Sequence, residues 1–184
     1  MGRGKFISLE GGEGVGKSTQ VRALAEALRE RGLEVVTTRE PGGSPGAEAI
    51  RALLLGGEED RWSARTEALL FAAARTDHVE KTIRPALERG AWVLCDRFLD
   101  SSLAYQGGAG GLGIEEVRRI NLFGIGETLP DRTPVLTLAE GAERARVRDE
   151  GESDRIGGRS DHYHRAVEAA FTAIQNAEPD RVRV

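Results

Sequence analysis

The chain has 184 residues, 39% hydrophobic and 30% charged, with a formal net charge of −4; this is a globular balance with room for one domain and a full core. The acidic balance argues against nucleic acid as a partner, and no apolar run approaches the length of a bilayer span. The single cysteine, Cys95, excludes an internal disulfide, and Met1 to Lys5 lead into an apolar segment too short for a signal peptide, so a cytoplasmic protein is expected.

Residues 6–10 read as a short buried strand opening onto a glycine cluster at 11–16. From Lys17 to about Arg31, Val21, Leu24, Ala25 and Leu28 recur at helical spacing, and Gly32 follows as a stop signal. Leu33 to Thr38 is a second, β-branched strand. Helical patterns cover 46–55 and about 64–88, and Ala91 to Cys95 is a third strand. The stretch after it, through the glycines at 107–113, reads as a loop. Helices follow at about 114–125 and 139–149 with a strand near 134–138 between them; a last helix spans about 161–176, and 181–184 can begin another strand. Strands alternating with helices predict a single α/β domain over 1–184, a parallel sheet with helices on both faces. Residues 149–160 are charged, glycine-rich and nearly free of apolar anchors, the composition of a solvated loop or of a lid over a charged ligand.

Gly11-Gly12-Glu13-Gly14-Val15-Gly16-Lys17-Ser18, with Thr19 after it, matches G-x-x-x-x-G-K-[ST] between a strand and a helix, where phosphate binding requires it. Its glycines let backbone N–H groups turn inward around phosphates, and the helix N-terminus adds a positive dipole end. Lys17 would place its charge on the β- and γ-phosphates of ATP and the Ser18 hydroxyl on Mg²⁺. No Asn-Lys-x-Asp guanine-reading element occurs, which weakens a GTPase reading. Lysine stands only at positions 5, 17 and 81, so arginine's abundance is compositional and only particular arginines carry meaning. Three of them are placed to converge. Arg39 follows the second strand, Arg97 follows the third beside Asp96, and Arg75 lies four residues after Phe71 on one helix, so an aromatic plate and a guanidinium share a face. In an open α/β sheet those strand ends face the crevice that holds the phosphate loop, and the three would bind a second anionic substrate.

In these residues the chain closely resembles the thymidylate kinase family, from Phe6 to about Ala177. The most specific parts are Arg39-Glu40-Pro41-Gly42-Gly43, Asp96-Arg97 and Ala104-Tyr105-Gln106-Gly107-Gly108. The resemblance implies a P-loop three-layer sandwich that transfers the γ-phosphoryl of ATP, with Mg²⁺, to dTMP, and that works as a homodimer. It further implies that Arg39, Arg75 and Arg97 hold the acceptor phosphate, that Phe71 stacks on thymine, and that Pro41, Ser102, Tyr105 and Gln106 line the base and sugar pocket. Glu13 would accept a hydrogen bond from the 3′-hydroxyl, and Asp96 would hold Mg²⁺ with Ser18. Because the phosphate loop has no arginine, the resemblance places a transfer-assisting arginine in a lid near 144–160, with Arg148 expected to serve ahead of Arg144, Arg146 and Arg155.

The chain departs from the family where Ala139-Glu140-Gly141 replace an aspartate and a Pro-Glu helix start, and where Gly157 replaces the glutamate after Asp154-Arg155-Ile156. Relatives also continue past the position of Val184 through a loop that often contributes to the adenine site. A UMP or CMP kinase is the alternative within the class, and a nucleotide-dependent switch without an acceptor the alternative outside it. The acceptor-side arginines argue against the switch.

Overall fold

A computed structural model describes residues 3–58, 60–137 and 156–184. In chain order the elements are β1 (Phe6–Gly11), α1 (Lys17–Arg29), β2 (Val35–Arg39), α2 (Pro45–Leu55) and α3 (Ala64–His78). A π-helical turn over Val79–Ile83 carries α3 directly into α4 (Arg84–Glu88), and β3 (Trp92–Asp96) follows. Then come α5 (Leu99–Ser102), which widens into a π-helical segment over Leu103–Ala109, α6 (Ile114–Ile125), β4 (Thr133–Leu136), α7 (Asp161–Ala177) and β5 (Val182–Arg183).

The strands form one parallel sheet in the order β2-β3-β1-β4-β5. Alternation along the strands sends successive side chains to opposite faces. On one face Ile7, Leu9, Leu94 and Val35 pack with Val21, Ala25 and Leu28 of α1. On the other, Phe6, Val93 and Cys95 join the larger core built with α3 to α7. Glu10 shares that second face with Phe6 and is fully buried there.

Helix starts follow local chemistry. Ser44, Ser63 and Ser160 each accept a backbone N–H three residues on, from Ala47, Thr66 and Tyr163 (3.3 Å each), and Pro45 occupies the first turn of α2. Gly16 begins α1 with φ 89°, a left-handed conformation that only glycine adopts freely.

Two expectations need correction. The stretch after β3 is helical, because Leu99, Leu103 and Ala104 are fully buried against α6 and α7; the glycines at 107–108 obscure that pattern in the sequence. The fourth strand starts at Thr133 and ends at Leu136, one to two residues earlier than expected. The expected helix at 139–149 lies outside the described residues.

Candidate active site

The carboxyl ends of β1, β2 and β3 open on a cleft of about 490 Å³. Its lining includes residues of the phosphate loop from Glu13 to Thr19 together with every acceptor residue expected from the sequence: Arg39, Pro41, Phe71, Arg75, Arg97, Ser102, Tyr105 and Gln106. Residues more than 60 positions apart are thus brought to one wall by the β2–β3–β1 register, in which Arg39 lies opposite Asp96 and Asp96 opposite Leu9.

On the phosphate-loop side Lys17 is buried, with its Nζ donating to the Gly12 carbonyl at 2.5 Å. Burial, reinforced by the nearby Arg97, pulls its pKa down to about 8 against the opposing pull of Glu13, Asp96 and Glu10. Gly11 cannot carry a side chain, since a Cβ there would stand 2.2 Å from the Leu136 carbonyl oxygen. The Ser18 hydroxyl donates to Asp96 Oδ2 at 2.6 Å, so a hydroxyl and a carboxylate oxygen meet where the phosphate loop begins α1. That donor set suits Mg²⁺, which takes one or two protein oxygens and completes its octahedron with water and substrate phosphates. Among the described residues no group of three or more His, Cys, Asp or Glu side chains forms a metal cage.

The three arginines have different standing. Arg97 adopts φ 67° and donates from Nη1 to the Gly11 carbonyl (2.9 Å) and Ser101 Oγ (3.2 Å), and from Nη2 to Glu13 Oε1 (2.7 Å). It therefore links the phosphate loop to the acceptor wall, and Glu13 pairs with it. Arg39 is half exposed and pairs with Glu48 at 3.1 Å, free to re-aim. Arg75 is 2% exposed. Its Nε donates to Glu40 Oε2 (2.7 Å), Nη1 to Ser102 Oγ (3.0 Å) and to Asn121 Oδ1, and Nη2 to the Phe98 carbonyl (3.0 Å). A guanidinium has five N–H groups, and these bonds occupy all but one.

Phe71 belongs to the core and lines the cleft, four residues before Arg75. Tyr105 lies beneath Arg97, whose guanidinium carbon is 5.2 Å from the ring centroid. Its hydroxyl is the one buried side-chain polar atom without a hydrogen-bond partner among the described residues, and burial pushes its pKa up to about 12. Gln106 donates to Glu67 Oε1 at 3.0 Å, and Glu67 Oε2 also takes Arg159 at 2.8 Å. Arg144, Arg146, Arg148, Asp154 and Arg155 lie outside the described residues; Ile156 lines the cleft.

Reading the sequence alone gave no role to Arg51 or Glu40. Arg51 lines the cleft and donates to the Pro41 carbonyl at 2.7 Å. Its spacing from Glu48 and Leu55, three and four residues, was the available signal for one helical face. Glu40 accepts both Arg75 and His78 Nδ1 (3.0 Å) and is buried, a role only long-range packing creates.

The family model for thymidylate kinase matches residues 9–184. A thymidylate kinase of Rhizorhabdus wittichii is 60% identical over 182 residues, covering 98% of this chain and 88% of that protein. One of Caulobacter vibrioides is 51% identical over 98% of this chain and 87% of its own length. Among solved structures, the crystal structure of thymidylate kinase from Ehrlichia chaffeensis superposes with a TM-score of 0.81 at 32% identity, covering 99% of this chain and 92% of that one. The family model over residues 9–184, the sequence relatives and the shared fold of the solved structure together place the chain in the thymidylate kinase family.

Proposed function

We propose that this protein transfers the γ-phosphoryl of ATP to dTMP, giving dTDP and ADP. One juxtaposition supports the reading above all: Glu13, Gly14 and Gly16 to Thr19 of the phosphate loop line one cavity of about 490 Å³ together with Arg39, Arg75 and Arg97. A switch that only binds a nucleotide has no use for the second, cationic wall. Relatives named thymidylate kinase at up to 60% identity support the choice of acceptor.

The mechanism follows from placement. An ionised oxygen of the acceptor phosphate attacks the γ-phosphorus, the bond from that phosphorus to the β,γ-bridging oxygen breaks, and ADP leaves with the electron pair. No general base is needed, because the attacking oxygen carries no proton. Arg97 and Arg39 hold the acceptor phosphate, and Arg75 stiffens the wall between base and phosphate. Phe71 offers its face to thymine beside Pro41, Ser102, Tyr105 and Gln106, and Glu13 takes the 3′-hydroxyl once Arg97 turns to the phosphate. Gly11 to Thr19 bind the ATP phosphates and Lys17 neutralises charge on the transferring group. Ser18 and Asp96 would hold Mg²⁺, which would supply further neutralisation of phosphate charge. Such catalysis is nearly all positioning and electrostatics. Arg148 is proposed as the arginine that meets the transferring phosphoryl, and alanine variants at 144, 146, 148 and 155 measured in single turnover identify which one acts.

The same reading includes one domain, a cytoplasmic location and a homodimer. No described helix is long and apolar enough to cross a membrane. Phe123 on α6 is 96% exposed and Leu69 on α3 57% exposed, on helices that pack together, which suits burial against a second copy. Sedimentation equilibrium tests the dimer.

The deciding experiment measures ADP release with dTMP, dUMP, UMP, CMP and AMP. A pocket for one methyl discriminates about 10- to 200-fold, so dTMP should lead, dUMP should turn over weakly, and CMP and AMP should be poor. Comparable kcat/KM for CMP or AMP would overturn the assignment of dTMP.

A further inference from the structure

Arg97 stands in the left-handed region at φ 67°, where non-glycine residues are uncommon and need support. Its own N–H donates to the Leu9 carbonyl (3.0 Å), and Cys95 Sγ donates to its carbonyl (2.9 Å). Beside its side-chain bonds to the Gly11 carbonyl and Glu13, Arg97 has further support from Glu10. Its Oε1 accepts the Phe98 N–H at 2.7 Å, immediately after Arg97. Its Oε2 accepts the Ser101 hydroxyl at 2.5 Å, and Ser101 Oγ in turn accepts Arg97 Nη1. Backbone and side chain of Arg97 are thus both held, at one remove, by a single carboxyl group.

We propose that Glu10 is a positioning residue for the acceptor side: it holds the 97–101 turn so that the Arg97 guanidinium faces the cleft. The proposal rests on the reading that Arg97 binds the acceptor phosphate.

Three observations carry it. Both hydrogen bonds of Glu10 go to the 98–101 segment and neither to the phosphate loop, although Glu10 directly precedes that loop. The adjacent buried carboxylate, Asp100, is already matched by Arg181, with Nη1–Oδ2 and Nη2–Oδ1 both at 2.7 Å, so Glu10 does not serve to neutralise that arginine. Placing a carboxyl group here is also costly. Burial first, and then Asp100, push its pKa up to about 8, against the opposing pull of Ser101, Arg97 and the Phe98 N–H. An apolar residue would serve the strand without that cost, and expensive groups of this kind concentrate at functional sites.

Steady-state kinetics on Glu10→Ala, Glu10→Gln, Ser101→Ala and Arg97→Ala, per folded molecule by active-site titration, test this. Glu10→Ala should raise the KM for dTMP about tenfold, the worth of one hydrogen bond, with the KM for ATP within about twofold. Glu10→Gln keeps an acceptor for Phe98 N–H and a bond to Ser101, and should stay within about threefold of wild type. Ser101→Ala should raise the dTMP KM in the same direction, and combining it with Glu10→Ala should add little, because both cut one chain of bonds. A merely structural Glu10 would lower thermal stability and leave both KM values of the folded fraction unchanged.

Wild-type KM for dTMP in Glu10→Ala beside an impaired Arg97→Ala would overturn the inference, as would an equal rise in the KM for ATP. If Glu10→Ala does not fold, Ser101→Ala decides by the same criteria. An unchanged dTMP KM in Arg97→Ala would instead remove the phosphate-binding reading, and the inference with it.

Discussion

Arg75 and Arg39 look equivalent in the sequence and should differ sharply on substitution. The Arg75 side chain is 2% exposed and that of its partner Glu40 4%. Arg75→Met fills the space with an apolar chain and leaves Glu40 with His78 Nδ1 as its remaining described partner, at 3.0 Å. Ser102, Asn121 and the Phe98 carbonyl lose a donor at the same time. Removing one member of a buried ion pair costs about 3–5 kcal/mol, because the other charge stays behind uncompensated. For a domain of this size that is a fall in Tm of roughly 6–20 °C. Arg39 pairs with Glu48 across solvent, the two side chains 52% and 42% exposed, and Arg39→Ala should cost less than about 1 kcal/mol. Urea unfolding of the ligand-free protein, with thermal melts alongside, gives both numbers. Glu40→Gln added to Arg75→Met removes the stranded charge and should recover a measurable part of the loss. If Arg75→Met proved no less stable than Arg39→Ala, the reasoning from burial would be refuted.

Other outcomes follow from the same geometry. The free-enzyme pKa of Lys17, lowered to about 8 chiefly by burial, should rise when phosphates bind; ATP affinity should then fall above about pH 8, by up to about tenfold per pH unit. Titration calorimetry across pH checks this, and Lys17→Met should abolish the dependence. Glu10 bears on stability: its folded pKa is raised from 4.5 to about 8, so its contribution is present below pH 4.5 and lost as pH rises through about 8. Denaturant midpoints of wild type should therefore decline over that window relative to Glu10→Gln, by at most about 1.4 kcal/mol per pH unit; parallel curves would contradict the shift. Gly124→Ala places a Cβ 1.8 Å from Thr76 Oγ1 between α6 and α3. It should destabilise by about 1–3 kcal/mol, and Thr76→Ala in the same chain should recover much of that in a melting assay.

Local chemistry made much of this protein legible from the residue order. Phosphate binding needs glycine backbone, one lysine and a helix N-terminus within eight consecutive residues, Gly11 to Ser18, so the pattern survives without a structure. Strand and helix periodicity from Phe6 to Leu28 and from Trp92 to Asp96 is likewise short-range, and it was enough to indicate a parallel sheet covered on both faces. Helix α5 escaped notice because its evidence is burial of Leu99 and Leu103 against α6 and α7, while Gly107 and Gly108 resemble loop punctuation. Arg39 and Arg97 could be brought to one crevice from their places after the second and third strands, and Arg75 joined them through its helical spacing from Phe71. Which of them is locked by Glu40, which is half exposed, and which leans on Ser101 under Glu10 depends on contacts 4 to 46 residues apart in the chain. Spacing along the chain specifies which groups are present. Only the packed sheet decides which are desolvated, and desolvation sets what it costs to remove each one.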